Sequence, residues 1–482
     1  MSRHGIFTTE SATAYTVPKT ANTAILAIGC APVYMLDDPQ AAVNTPILAT
    51  KATEAMSKLG YSLDFDRYGL CEVMYSTTNV CVVGPVVYIN VLDPVKHRKP
   101  MAEQAVDVVL RQARVAVTGV LKDGLVVKSG DAELQLGLDY MLNYDTQTGD
   151  LLIELAAAGA GAMATSLMVS GDVLDPDAVT AADVVGAIDM ATGKRTGLEV
   201  LREVYPKLDI LCNLLVAPGF SHIPEVAIAM AAKADAVNGR YKAMALVDLD
   251  TEKCRSVEDC KKVKEDTGVT TSRAIPMWPC VNVGSLTLNA SSVMGPFIAE
   301  LDYDNGGVPY MSPSNRTVGI TGTCLRDGTE IVLDPDLAAV ADDNGIMTFF
   351  NDNGWRMWGD YTGAAPGEGD PKDLWICCRR MFDYCENNFM LTFAYKVDWP
   401  MSVALIENII NSENEILNGL VKAGKMAFGE ATYIADLNPK TNIIAGILTI
   451  KIRISPWTPA RDIEGDFEFD VDQLANALYA AA

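Results

Sequence analysis

ILCNLLVAPGFSHIPEVAIAMAAKADAVNGRYKAMALVDLD, residues 210 to 250, decides the fold class. "ILCNLLVAP" is a short unbroken apolar run closed by Pro218, the pattern of a strand buried on both faces. "PEVAIAMAAKADAVNG" reads as a helix with Pro224 at its start and Gly239 closing it. "YKAMALVDLD" is a second buried strand, and "SVEDCKKVKEDTG" beyond it is a helix capped by Ser256. Just upstream, "LEVLREVYPKL" is helical. Alternation of this kind predicts a mostly parallel sheet with helices on it.

Moving toward the N-terminus, "ANTAILAIGCAPV" is a first buried strand and "PILATKATEAMSKLG" a helix, with Pro46 near its start and Gly60 just past its end. "NVCVVGPVVYINVLDP" is a β-branched run interrupted at Gly84-Pro85 and ended at Asp93-Pro94. After Pro94 short apolar stretches are separated by Asp-Gly, Ser-Gly and Thr-Gly turns, which predicts antiparallel hairpins and an inserted β domain over 95–183. Residues 1–20 are polar and Thr-rich, an extended arm. Toward the C-terminus, "VALIENIINSENEILNGLVKAG" is a helix ended by Gly424, "NIIAGILTIKIRISPW" alternates as a strand, and "EGDFEFDVD" alternates again as a second arm. The expected whole is a mixed α/β, multidomain chain. It comprises an arm (1–20), a central α/β domain (21–94 with 184–350), the β insert (95–183), a C-terminal α/β domain (351–460) and a strand arm (461–482).

Composition narrows the function. The 482 residues, 49% of them hydrophobic, are enough for several packed cores. A formal charge of -24 with no basic run of five or more repels phosphate backbones and anionic membrane surfaces, so neither nucleic acid nor a membrane is an expected partner. Eleven cysteines without a C-x-x-C pair, and a start, "MSRHGIFTTESATAY", without charged-then-apolar order, predict a protein made and kept in a reducing cytosol. "LLIELAAAGAGAMATSLMV" carries Glu154 and is rich in small residues, unlike a membrane span. His4, His97 and His222 lie far apart, which disfavours His-ligated metals and a His general base.

Five motifs invite a chemical reading. "GLVKAGKM" matches a phosphate loop at Gly419, Gly424 and Lys425, but Met426 replaces the hydroxyl that binds magnesium, and the match lies at the end of a helix instead of its beginning. "GAGAMA" matches a dinucleotide turn at Gly159, Gly161 and Ala164, with Asp183 placed for a ribose, yet the following "TSLMVSGDVLD" reads as a strand, so a small-residue hairpin is expected. Ser221 beside His222 lacks an orienting third group, and Ser221 reads as a loop or capping residue before Pro224. Cys377, Cys378 and Cys385 read as packed thiols on a helix. Asp302, Asp304 and Asn305 read as a solvated turn without the rest of a calcium loop. No catalytic set and no cofactor is expected.

Six blocks in order carry a resemblance: "LVAPGFSHIPEVAIAMAAKAD", "VPYMSPSNRTVGITGT", "NDNGWRMWGDYT", "DLWICCRRMFDYCENN", "VDWPMSVALIENIINSENEILNGLVKAGKM" and "GILTIKIRISPWTPARDIEGDFEF". Together they resemble the contractile tail sheath family of phages, tailocins and related injection systems, from about residue 184 to the C-terminus. The 95–183 segment resembles the β insert of many members. One departure is that relatives often carry Asn-Arg-Thr after the Trp-Gly, where this chain has Asp360-Tyr361-Thr362, so Arg356 is expected to pair with Asp360.

The resemblance implies a non-enzymatic subunit. It polymerises helically around a tail tube and contracts without nucleotide hydrolysis to drive the tube through a cell envelope. Implied partners are itself, the tail tube protein, and baseplate and terminator proteins. Assembly would occur in the host bacterial cytoplasm, and the product would be a virion tail or tailocin. It further implies inter-subunit arms at Ile6, Phe7 and Thr8 and at Phe467, Phe469 and Val471, and tube contact at Lys422 and Lys425. Trp355, Arg356, Trp358 and Gly359 would form a structural core at the base of the C-terminal domain. The rival reading is a cytosolic α/β enzyme that binds a nucleotide or dinucleotide through "GAGAMA" or "GLVKAGKM".

Overall fold

The computed structural model describes residues 23–145 and 148–479, so the proposed arm residues Ile6, Phe7 and Thr8 lie outside the described residues. Its centre is a six-stranded sheet. Strands β1 (Ile25–Gly29), β2 (Pro46–Ala49) and β3 (Val86–Asn90) come before the insert, and β11 (Leu214–Val216), β12 (Met244–Asp248) and β13 (Ala274–Met277) after it. The order is β13-β12-β11-β1-β3-β2, and every pairing is parallel except β2 with β3. Helices α1 (Ala52–Leu59), α2 (Gly69–Asn79), α3 (Ala181–Val185), α4 (Leu201–Leu208), α5 (Pro224–Asp235), α6 (Val257–Thr267) and α7 (Ala290–Asp304) accompany it. Strands such as β1, β3 and β12 are buried along their whole length, as a sheet covered on both faces requires.

Several sequence expectations change here. Pro46–Ala49 is an edge strand, not the start of a helix; proline is tolerated as the first residue of an edge strand, and the helix begins only at Ala52. Helix α2 was not foreseen. It begins at Gly69, where a Cβ would stand 2.5 Å from the Pro218 carbonyl oxygen, so a glycine is needed for α2 to reach the end of β11. Helix α5 stops at Asp235, and Gly239 (φ +78°) sits in the turn that follows.

The insert is a seven-stranded antiparallel sheet with its own core. Its strands are β4 (Arg98–Val109), β5 (Gln112–Thr118), β6 (Val126–Ser129), β7 (Ala132–Glu133), β8 (Tyr140–Tyr144), β9 (Asp150–Leu155) and β10 (Ser166–Leu174). In the order β7-β6-β10-β4-β5-β9-β8, strands β9 and β10 are not neighbours, so "GAGAMA" links separated strands and is not a hairpin. Tyr34 attaches the insert to the central body, edge-on to Tyr144 at 5.2 Å.

After β13 two small sheets follow. One is β15-β14-β17, from β14 (Cys280–Val283), β15 (Leu286–Leu288) and β17 (Gly322–Cys324); the other is β16-β19-β18, from β16 (Arg316–Thr317), β18 (Thr348–Asn351) and β19 (Trp355–Trp358). Helix α8 (Pro335–Asp343) precedes β18. The β18–β19 hairpin packs on the main core through Phe349, Phe350 and Met357. Its tryptophans therefore stand on the central body, not at the base of a C-terminal domain, and the boundary expected at 350/351 falls inside the hairpin.

The last part is α9 (Pro371–Leu374), α10 (Ile376–Phe393), α11 (Val403–Lys422), β20 (Phe428–Tyr433), α12 (Lys440–Ile444), β21 (Ile450–Ser455) and α13 (Val471–Tyr479). Met381 and Cys385 of α10, Leu417 and Leu420 of α11, and Ala431 of β20 form a third core under the β20–β21 hairpin. "NII" belongs to α12, so the alternating strand begins only at Ile450. No strand forms between Pro456 and Asp470, and Val471 opens a helix, so the expected terminal strand is not paired within the described chain.

Candidate assembly surface

Helix α10 is tied to the body by buried ion pairs. Asp383 accepts from Arg273 at 2.7 Å and from Arg379 at 3.1 Å, and Asp302 of α7 accepts from both terminal nitrogens of Arg380. Asp302 is 1% exposed, so the solvated turn expected at 302–305 is instead the buried end of α7. Pairs of this kind cost desolvation but are rigid, because losing one partner strands a buried charge.

Around 351–363 the expected Arg356–Asp360 pair does not form. Arg356 donates to the Asp352 carbonyl (3.1 Å) and to Asn315 Oδ1 (3.1 Å). Trp358 is half-buried, edge-on to Phe350 at 5.1 Å, and Gly359 (φ +131°) lies where a Cβ would be 2.9 Å from Met347 Cα. Asp360 turns into the body, where its amide donates to Asp342. The guanidinium near these acids belongs to Arg461, which pairs with Asp342 (3.2 Å) and Asp343 (2.5 Å) and lies 4.3 Å from the centre of the Tyr361 ring. Burial, and then repulsion from Asp342, push the Asp360 carboxyl up to about 7 against the pull of Arg461. A cleft of about 580 Å³ opens beside them, with Trp457 to Arg461 as one wall. Trp457 Nε1 also donates to the Gly424 carbonyl, so the root of the C-terminal extension is clamped at both ends.

Beyond that root the surface is apolar. More than half of the exposed large hydrophobic side chains among the described residues fall in 395–479, including Ile444, Trp457, Phe467 and Phe469. Phe467 is 95% and Phe469 75% exposed, which isolated surface hydrophobics do not explain. Nearby, β20 and β21 form a two-stranded sheet with its outer edges free of further strands among the described residues. One edge is blocked by a side chain: the Asn414 amide of α11 donates to the Ala431 carbonyl (2.9 Å) and accepts from its N–H (2.8 Å). Ala431 faces Ile452, so that pair is a non-hydrogen-bonded one, and the N–H and C=O of Ile452 point away from β20. By alternation Ile450 and Ile454 present theirs in the same direction, making the outer edge of β21 a row of open donors and acceptors.

The rival sites are filled. At the carboxyl ends of the parallel strands, where an α/β enzyme holds its ligand, Asp248 accepts from Ser221 Oγ, Ser291 Oγ and Ser291 N–H. Ser221 is thus a buried partner of Asp248, not a helix cap, and does not bond His222. Glu72 accepts from Asn289, Ser292 and Arg326 beside it. Burial pushes both acids upward, and the N-terminus of α7 occupies the crevice. In "GAGAMA" the Ala160 N–H goes to Asp139 (2.7 Å), and in "GLVKAGKM" Lys425 donates to the Asn305 carbonyl at the end of α7 (2.6 Å). Lys422 is exposed on the last turn of α11. Cys377, Cys378 and Cys385 are buried thiols on α10, as expected. No group of His, Cys, Asp or Glu among the described residues could hold a metal ion, and no helix there is long and apolar enough to cross a membrane.

The crevice of the body is closed by its own side chains, and the apolar surface and open strand edge gather in one terminal part. No family model matches the chain. Along nearly its whole length it is similar to the tail sheath protein of Burkholderia phage BcepMu, with 25% identity over 486 residues, covering 98% of this chain and 97% of that protein. In fold it is similar to the sheath of an extracellular contractile injection system, the PVC sheath complex in its contracted state, at TM-score 0.58 and 13% identity over 98% of this chain and 99% of that one. The contracted helical sheath of the anti-feeding prophage gives TM-score 0.57 and 14% identity over 98% and 100%. Along its length the chain is similar to contractile tail sheath proteins. The proteins it resembles are sheath proteins, and none of them is named as an enzyme.

Proposed function

We propose that the subunit wraps a tail tube as a helical polymer in which each copy is tethered to its neighbours by added strands. The observation that carries this reading is the open β21 edge beside an exposed apolar extension. A strand from a neighbouring copy, drawn from 1–20 or from around Phe467 and Phe469, extends the sheet and covers the exposed side chains. The β21 edge accepts a strand unaided, whereas a strand on β20 must displace the Asn414 amide, so the two arms engage with unequal ease. Unlike surfaces meeting at each step do not close, and a helix results.

Contraction then needs no nucleotide. A kinetically trapped extended lattice falls to one with more contact, and even ~1 kcal/mol gained per subunit sums to a large output over a tail. Strand tethers survive the rotation because backbone pairing is anchored at hinged arms. The acidic β insert faces outward, the C-terminal part faces the tube, and Lys422 is the cation that reaches it. Baseplate and terminator proteins close the ends, and assembly takes place in the host cytoplasm. Negative-stain microscopy of the purified chain across concentration and salt tests the core of this proposal. Hollow striated tubes are expected; a monodisperse monomer that polymerises neither alone nor on a tube would overturn it.

A further inference from the structure

The lip of α6 carries a second feature, independent of assembly. In "CRSVEDC", residues 254–260, Ser256 caps α6 and forms a capping box with Asp259. Cys254 stands two residues before the cap, and Cys260 is the fourth residue of the helix. Both thiols turn onto the Ser256 carbonyl, at 3.5 and 3.4 Å, and their sulfurs stand 2.6 Å apart with both residues fully buried.

The approach is set by backbone. The Cys254 N–H donates to the Asp250 carbonyl at 2.8 Å, and its own carbonyl accepts from Trp278 Nε1 at 2.9 Å. Closing the pair needs the sulfurs to approach by only about half an ångström, to the disulfide bond length of about 2.05 Å. Cys377 and Cys378 also interact, but consecutive helical positions hold their Cβ atoms too far apart for disulfide geometry unless α10 unwinds.

We infer that Cys254 and Cys260 are a modification site, a thiol pair that closes into an intrachain disulfide when the protein meets an oxidant of the small-molecule disulfide class. One thiolate attacks oxidised glutathione and releases one reduced glutathione; the second thiolate displaces the other glutathione from the mixed disulfide. Two protons leave the pair and two electrons pass to glutathione. Burial raises the Cys260 thiol, so exchange waits on opening of the first turn of α6. A reducing cytosol keeps the dithiol, and an oxidising medium closes it.

The test holds the full chain in oxidised and reduced glutathione at several ratios, in urea below the unfolding transition so that the helix end can open, and then alkylates and digests it with trypsin. Cleavage after Lys253, Arg255 and Lys261 yields Cys254-Arg255 joined to Ser256–Lys261, about 2 Da lighter than the sum of the two reduced peptides. This linked species is expected at ratios that leave Cys30, Cys71 and Cys212 alkylated. Oxidised protein is also expected to melt several degrees above reduced protein, a gap absent in Cys254→Ala. Two alkylated peptides at every ratio, a persistent glutathione adduct, or linkage of either cysteine elsewhere would overturn the inference. The comparison on the unsubstituted chain decides it even if the variant fails to fold, and tube formation has no bearing on the result.

Discussion

Glu413→Gln isolates one buried charge. Glu413 lies on α11 against Cys385 of α10, is 3% exposed, and has its carboxyl pushed up to about 7 by burial alone. The folded value is raised above the ordinary 4.5, so the native state holds a proton that the unfolded chain has released. This contribution to stability is complete below pH 4.5 and is lost as pH rises toward 7. At pH 8 the ionised group costs about 3 kcal/mol, the free-energy equivalent of its shift at 1.36 kcal/mol per unit. Glutamine has nearly the same shape and no charge. Urea unfolding of both proteins at pH 5.5, 6.5, 7.5 and 8.5 avoids the region near pH 4.5 where the net charge vanishes. Glu413→Gln is expected to gain about 2 kcal/mol over the native protein between the lowest and highest pH, because every other titration cancels in the difference. A pH-independent difference would refute the argument, since it would mean that Glu413 reaches water or a cation.

Ile452→Pro removes an outward N–H from the β21 edge without breaking a bond to β20; the hairpin is expected to survive while tube formation in sedimentation weakens about a hundredfold per contact, or about 3 kcal/mol. Arg453→Pro, one residue on, removes an inward N–H and is expected to unfold the hairpin in the same assay. Arg380→Ala leaves Asp302 charged in the interior and is expected to cost about 3–5 kcal/mol by thermal or urea unfolding, with Arg380→Met/Asp302→Leu recovering most of it. Lys422→Glu is expected to leave the melting temperature unchanged and to reduce sheath on tubes in co-sedimentation. Lys425→Glu is expected to lower stability by about 1–2 kcal/mol, because that lysine holds the end of α7.

The α/β body was legible because its signals are local. Ser256 and Asp259 of one helix terminus, and the apolar run before Pro218, say what they are within a dozen residues. Pro46 misled because a proline opens an edge strand as readily as a helix, and only pairing with β3 decides. Arg356 and Asp360 are four residues apart, yet the backbone turn at Gly359 sends them to opposite sides, and the guanidinium that serves Asp360 comes from position 461. No local pattern could report that distance. Asn414 illustrates the same limit: it lies in a polar stretch of α11 like any surface asparagine, and its role appears only when Ala431 is placed against it.

That asparagine also bears on how a lattice of such subunits keeps order. A free two-stranded sheet offers two equivalent edges, and equivalent edges allow strands to add from either side, which leads to disordered stacking. With the Asn414 amide satisfying Ala431, β20 is closed at its middle and only β21 is ready. Under the proposed strand addition, the first strand adds on one defined side and fixes the neighbour's position before a second strand competes for β20. Displacing the amide leaves Asn414 to find new partners, so the second step is weaker than the first by roughly the value of the bonds it breaks, about 1–3 kcal/mol. An order of engagement built into one side chain gives a polymer a direction without any enzyme to impose it.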